Sequence, residues 1–385
     1  MPRARRIPAV AGAQLLGLRL NSAIGIAAGP LLNSKWVEGY ARLGFDVLTY
    51  ATVRSRHHPA FTLPNIRHVE NKEQAAIAPR RPHLNGTPTI AVSMGMPSME
   101  PDVWRKDVHR AKQRLGPGQV LIVSITGTPE PGGDPEALVA DYSRCAVWAA
   151  EAGADIVEVH LASPDPFSEQ AQMIYENLPL SAHILHRVRT TITCPVLAKF
   201  GVFRSPRALH DTATKLAAWT NGFVLMHGIP RRVVDEEGNA AFEGAGRDRA
   251  DVFGADTFPV ASRQVAEMLA WRKAGAWDRA ILAVGGITTV ERAHALLRDG
   301  ASVALVATAA IFDPLFAIRF RQAVHATSET AAPTAPSRAP SSRASSSPRA
   351  SSPALASSPS RAPSSPRARS AARRARGRAS ASSRR

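Results

Sequence analysis

The sequence predicts a (β/α)8 barrel with loop insertions at its C-terminal face, and three observations carry that prediction. Short apolar runs alternate with longer amphipathic stretches through residues 1–326. Most runs are continuous blocks, such as Val-Leu-Ile-Val-Ser-Ile-Thr from Val120 to Thr126, as parallel strands buried on both faces require. No Gly-x-Gly-x-x-Gly follows the first run, which disfavours a doubly wound dinucleotide-binding sheet.

Taken in order, Ala23–Ala28 is the first strand and Trp36–Leu43 its helix, and Asp46–Val53 is the second strand. Thr89–Ser93 is a ninth run where a barrel needs eight, so it is placed in an insertion over the mouth. Val120–Thr126 then leads to the helix Pro135–Ala152, Asp155–Leu161 to Gln172–Arg189, and Pro195–Phe200 to Arg207–Trp219. Gly222–His227 precedes the helix Pro259–Ala274, Ala280–Gly286 precedes Val290–Arg298, and Ser302–Thr308 precedes Pro314–Gln322. Strand followed by helix, repeated, calls for right-handed crossovers.

Composition narrows the function classes. The formal charge of +17 resembles a nucleic-acid signal, but residues 327–385 hold 12 Arg against one Glu and carry +11 of it. That stretch has 18 Ser, 15 Ala, 8 Pro and a single large aliphatic residue, Leu355, so it reads as a disordered basic tail following a barrel domain of residues 1–326. No specific nucleic-acid partner is expected. No run of 18 apolar residues marks a membrane span, and the arginines of Met1–Arg6 lead into no signal-peptide core. Cys145 and Cys194 make neither a metal spacing nor a disulfide framework, which suits a reducing cytoplasm.

Chemistry in a barrel gathers where the strands end. Ala283-Val-Gly-Gly-Ile287 closes one strand with two glycines, and Val306-Ala-Thr-Ala309 closes the next. Glycine lets backbone N–H groups approach an anion, and the helix that follows adds favourable potential, so this pair of loops suits a phosphate. Lys199 ends the strand Pro195–Phe200 at mouth height, where its ammonium can stabilise charge on a reduced ring system.

With those residues in place, the chain from about Asn21 to Gln322 resembles the flavin-dependent dihydroorotate dehydrogenases. Ala27-Ala28-Gly29 through Gly44-Phe45 is similar to that family's first unit, with Thr52-Val53 ending the second strand. Ser93-Met94-Gly95 with Pro97 resembles its substrate loop, Ser124-Ile125 to Gly127 its Ser-Ile-x-Gly strand, and Glu158 to Pro164 its Glu-Leu-Asn-x-Ser-Cys/Ser-Pro-Asn segment. The resemblance implies FMN held by Ala28, Gly29, Thr52, Ser124, Lys199, Gly244 (in a Gly244-Ala245-Gly246 cluster), Gly285, Gly286, Ala307 and Thr308. It implies Ser163 as the base that removes a substrate proton, and Leu32, Ser93, Met94, Gly95, His160, Asp165 and His227 on the substrate side.

The implied activity is oxidation at a CH–CH bond of a small ring; dihydroorotate to orotate, in pyrimidine biosynthesis, is the family reaction. The departures fall on the substrate side. Where the family grips the ring with asparagines, this chain has Val92, Ser98, His160, Asp165 and His227, and the lysines of the two branches are replaced by Leu32 and Ala51. Arg54, Arg56, His57 and His58 are either replacement cations or a solvated patch. A diverged flavin oxidoreductase on another ring and an idle FMN-binding protein are therefore the alternatives. About 21 residues precede the first strand, too few for a membrane-seating helical pair, so a cytoplasmic enzyme with a small-molecule substrate and a soluble electron acceptor is expected, as one chain or a homo-oligomer.

Overall fold

The computed structural model describes residues 7–82, 86–170 and 172–330. Eight parallel strands close into a barrel in sequential order: β1 (Ile24–Leu31), β2 (Val47–Val53), β3 (Val120–Ile125), β4 (Ile156–His160), β5 (Val196–Phe200), β6 (Gly222–Leu225), β7 (Ala280–Val284) and β8 (Val303–Val306). Leu305 of β8 pairs with Gly25 of β1 and completes the ring. A Cβ on Gly25 would stand 2.4 Å from the Val47 carbonyl, so the strands can meet there only at glycine.

The period-two alternation of each strand sorts its side chains. Val47, Val120, Ile122, Ile156, Leu197 and Leu282 fill the barrel interior, and the N-terminal hairpin adds Leu15 and Leu20 from below. Their outward neighbours join the larger core between barrel and helices. The same alternation carries Thr49, Ser124, Glu158, His160 and Lys199 inward one or two layers above that apolar floor, all fully or almost fully buried.

Helices α1 (Ser34–Arg42), α2 (Pro101–Gln113), α3 (Pro135–Glu151), α4 (Leu178–Thr191), α5 (Pro206–Leu216), α6 (Phe258–Lys273), α7 (Val290–Arg298), α8 (Thr308–Phe312) and α9 (Phe316–Thr330) return the chain between strands. Several starts are explicit in the sequence: Asp134-Pro135, Asn177 and Ser205-Pro206 each place a capping side chain on the N–H three residues on. Helix α2 was not expected. It buries only Trp104, Val108 and Ala111 on a polar background, a pattern too thin to separate from loop. The predicted helix Gln172–Arg189 divides into a 3-10 turn, Ile174–Glu176, and α4. Helix α9 runs through Thr330, past the expected boundary at 326; the tail reading beyond it lies outside the described residues.

The run at Thr89–Val92 does leave the barrel. It joins a six-stranded sheet with Ile66–His68, Glu70–Asn71, Ala76–Ala78, Ile229–Asp235 and Arg249–Gly254, built from the segments after β2 and β6. Arg247 ties those two segments together. Nearly fully buried, it donates to the carbonyls of Thr62, Pro64, Ser93 and Glu243 and to Ser93 Oγ, with its guanidinium near the Phe61 and Phe242 rings. Among the described residues, no helix is long and apolar enough to cross a membrane.

Candidate active site

A cavity opens at the C-terminal ends of the strands. Ala27 and Ala28 of β1, Lys199 of β5, Met226-His227-Gly228 after β6, and Phe253-Gly254 of the insertion sheet line it beside the loops Val284–Thr288 and Ala307–Ala309. The residues expected on the cofactor side at Ala28, Lys199, Gly285, Gly286, Ala307 and Thr308 thus share one space. Gly244 does not line it; Gly254 does, ending the strand Arg249–Gly254 with φ +102° and packed so closely on Pro88 that a Cβ would stand 2.2 Å from its carbonyl oxygen. Gly244 instead lies beside Arg247, whose amide donates to its carbonyl. Thr52 and Ser124 meet hydroxyl to hydroxyl at 3.0 Å on neighbouring strands.

The two glycines lie in a turn that precedes α7. Helix α7 does not start at once: it begins at Val290, and Thr289 already caps it through the Arg292 N–H. Gly285 (φ +118°) and Gly286 (φ +63°) let the chain turn against α6, where a Cβ on Gly286 would sit 2.4 Å from the Phe258 nitrogen. Arg292 braces the turn, donating to the Gly286 carbonyl at 2.8 Å and to Thr288 Oγ1 at 2.9 Å while stacking 4.3 Å from the Phe258 ring centroid.

Deeper in, Glu158 and Lys199 form a buried ion pair, with Lys199 Nζ 3.4 Å from Glu158 Oε1 and neither side chain more than 3% exposed. His160, paired in register with Lys199, is 1% exposed. Burial first, then the neighbouring His227 and Lys199, holds its imidazole well below the ordinary 6.5, so it is neutral at neutral pH. Its ring stands edge-on to that of His227 at 4.7 Å, and His227 Nε2 lies 3.3 Å from Asp251 Oδ2 on the covering sheet. Among the described residues, Thr49 Oγ1 and Glu158 Oε2 are buried without a hydrogen-bond partner, and the His160 ring meets only the Ala162 backbone. Buried polar atoms are ordinarily paired, so Glu158 and His160, which contact the cavity-lining Lys199 and His227, are candidates to meet a ligand.

Ser163, 8% exposed, heads a line of hydroxyls. Its Oγ lies 3.4 Å from Thr126 Oγ1, which lies 3.1 Å from the Tyr142 hydroxyl, and Tyr142 donates to the His160 carbonyl at 2.9 Å. Burial pushes the Tyr142 phenol up to about 12, so it remains a donor. The line ends on a carbonyl, which takes up no proton; it orients the Ser163 hydroxyl and leaves its lone pairs free.

Several substrate-side expectations change. The Asp165 carboxylate is engaged within its own loop, accepting from the Phe167 N–H at 2.9 Å and from Asn177 Nδ2 at 2.8 Å, so it adds no unpaired charge to the ring pocket. Ser98 accepts from the Arg54 N–H and donates to the Met99 carbonyl, and Ser93 is taken by Arg247. Gly95 packs under the Phe61 ring, whose residue also bonds its N–H to the Met94 carbonyl. Leu32 is 52% exposed. Arg54 is no surface cation: it is buried, and its guanidinium is bound by the carbonyls of Met96 and Gly127 and by Thr128 Oγ1. Glu158, Thr126, Tyr142, Asp251 and Gly254 were not singled out. Glu158 carried a readable signal, a charged residue on the inward face of an apolar strand; Asp251 carried none, because it reaches the site from a distant insertion.

A closed (β/α)8 barrel whose strand ends gather a buried ion pair, two imidazoles and glycine-lined loops defines the class of barrel enzymes with a C-terminal-face active site. No family model matches the chain. It is similar to a dihydroorotate dehydrogenase of Dictyostelium discoideum, 31% identical over 323 residues covering 79% of this chain and 86% of that protein. It is also similar to a dihydroorotate dehydrogenase (quinone) of Anaeromyxobacter dehalogenans (strain 2CP-C), 27% identical over 318 residues covering 81% of this chain and 80% of that protein. The chain belongs to the dihydroorotate dehydrogenase family and is an oxidoreductase of that kind.

Proposed function

We propose that the protein is an FMN-dependent oxidoreductase acting on a CH–CH bond of a small ring substrate and passing the electrons to a soluble acceptor. The observation that carries this reading is the single cavity shared by Lys199, the Gly285–Thr288 loop and the Ala307–Ala309 loop. The residues suit the group. Alanines and glycines leave room for a flat ring, the two loops suit the phosphate, and the Lys199 ammonium suits the electron-rich edge of a reduced flavin. When bound, FMN supplies the two-electron acceptor for the ring carbon's hydride.

The chain's own residues supply the rest. Ser163, its hydroxyl oriented by Thr126 and Tyr142, acts as the base in its deprotonated form: its own proton first leaves to water, and Oγ then takes the substrate proton. Glu158 holds Lys199 in place at the top of β5. The test is a visible absorption spectrum of the purified protein with FMN quantified after denaturation. One FMN per chain is expected, and a colourless protein that takes up no added FMN would falsify the reading. In the loaded protein, Ser163→Ala should keep its FMN while slowing flavin reduction by its substrate by about 100-fold or more.

A further inference from the structure

Resting on the flavin reading above, we propose that His160 and His227, the latter held by Asp251, form the edge that reads the substrate ring, and that the ring they select is an uncharged cyclic amide without a carboxylate. The first support is the hydrogen-bonding capacity of His160: the buried imidazole meets the Ala162 backbone and keeps a ring nitrogen for which a ligand would supply a partner. A neutral imidazole offers one N–H and one lone pair, which match a ring carbonyl or a ring N–H.

The second support is the arrangement of His227. A carboxylate only accepts, so the contact with Asp251 engages the Nε2–H and leaves Nδ1 to meet a polar group of the ring. His227 lines the cavity, and His160 stands edge-on against it with ring centroids 4.7 Å apart, so a polar ring edge that meets His227 comes close to His160.

The third support is the engagement of the cations around them. Lys199 faces Glu158; Arg54 is bound by the carbonyls of Met96 and Gly127; Arg247 holds the insertion; Arg292 holds the Gly286 turn. A ring carboxylate entering here would give up its water and find no uncommitted cation among these, a loss that discriminates against it.

The experiment titrates the FMN-loaded full-length protein with uracil and with orotate, following the flavin spectrum. Uracil should bind at least about tenfold tighter than orotate. His160→Phe and His227→Phe keep the ring packing and remove the nitrogens; each should weaken uracil by about tenfold or more in protein loaded to one FMN per chain, with melting temperature held in His160→Phe at neutral pH. Asp251→Asn, a change at a positioning residue, should weaken uracil and alter the pH profile of its binding, with Asp251→Glu recovering part of the affinity. Orotate binding tighter than uracil, neither ring binding, or uracil affinity indifferent to both phenylalanine changes would overturn the proposal. Absence of bound FMN, read from the same spectrum before titration, would instead overturn the flavin reading beneath it.

Discussion

Glu158 shows what one residue contributes to this molecule. A carboxylate taken wholly out of water is tolerable here because Lys199 lies 3.4 Å away, and removing either partner strands the other. Glu158→Ala should therefore cost about 3 to 5 kcal/mol in urea denaturation, while Glu158→Leu combined with Lys199→Met should cost less than either single change. A double variant at least as unstable as the worse single would show that the pair is not the origin of the effect. The inward side of β4 reads Ile156, Glu158, His160, so the polar pair of positions was legible as an alternation; what faces them was not.

At the scale of elements, the covering sheet is built from two segments far apart in sequence, with Arg247 as the shared fastener. Its side chain makes five hydrogen bonds and meets no carboxylate. Arg247→Ala leaves several buried carbonyls unpaired and should cost on the order of 3 kcal/mol. Limited proteolysis should then cut first within residues 57–95 or 229–254 while the barrel's far-ultraviolet signal persists. Uniform cleavage across the barrel would argue against a separately fastened cover. The Gly285-Gly286 turn behaves differently: Gly286→Val drives a side chain into the start of α6 and should lower both FMN retention and melting temperature. Retained FMN with unchanged melting would refute that close approach.

For the whole molecule, pH acts through buried histidine. His160 has its folded-state pKa held well below 6.5, by burial above all, whereas in the unfolded chain it protonates near that value. The unfolded state therefore binds more protons as pH falls, so this contribution is fully present above about 6.5 and is lost as pH drops below it. The slope reaches about 1.4 kcal/mol per pH unit for this residue. His58 and His294 are shifted in the same direction by partial burial and add to the trend more weakly. Denaturation midpoints between pH 8 and pH 5 should fall with pH, and His160→Phe should flatten the dependence by up to one proton. An unchanged slope in that variant would remove His160 from the account.

The sequence by itself determined the barrel, because period and apolar continuity are local properties: eight of the nine runs became its strands, and Thr89–Val92 left it as expected. It likewise placed Lys199, the Gly285-Gly286 loop and the Ala307-Thr308 loop at the strand ends, since topology alone fixes which end carries the chemistry. Only the tertiary structure decided which polar groups are already engaged. Asp165 and Arg54 looked like charges for a ligand and are held within the fold, Asp165 by Phe167 and Asn177 and Arg54 by Met96, Gly127 and Thr128. Glu158, by contrast, looked like part of a strand and pairs with Lys199 beside His160, which was expected on the substrate side. Asp251 and Gly254 reach the mouth from an insertion, through pairings between Asp251 and Val92 and between Gly254 and Thr89. The reason is physical: hydrogen-bond satisfaction depends on partners brought together by the fold across many residues, and hydrophobic periodicity carries no record of them.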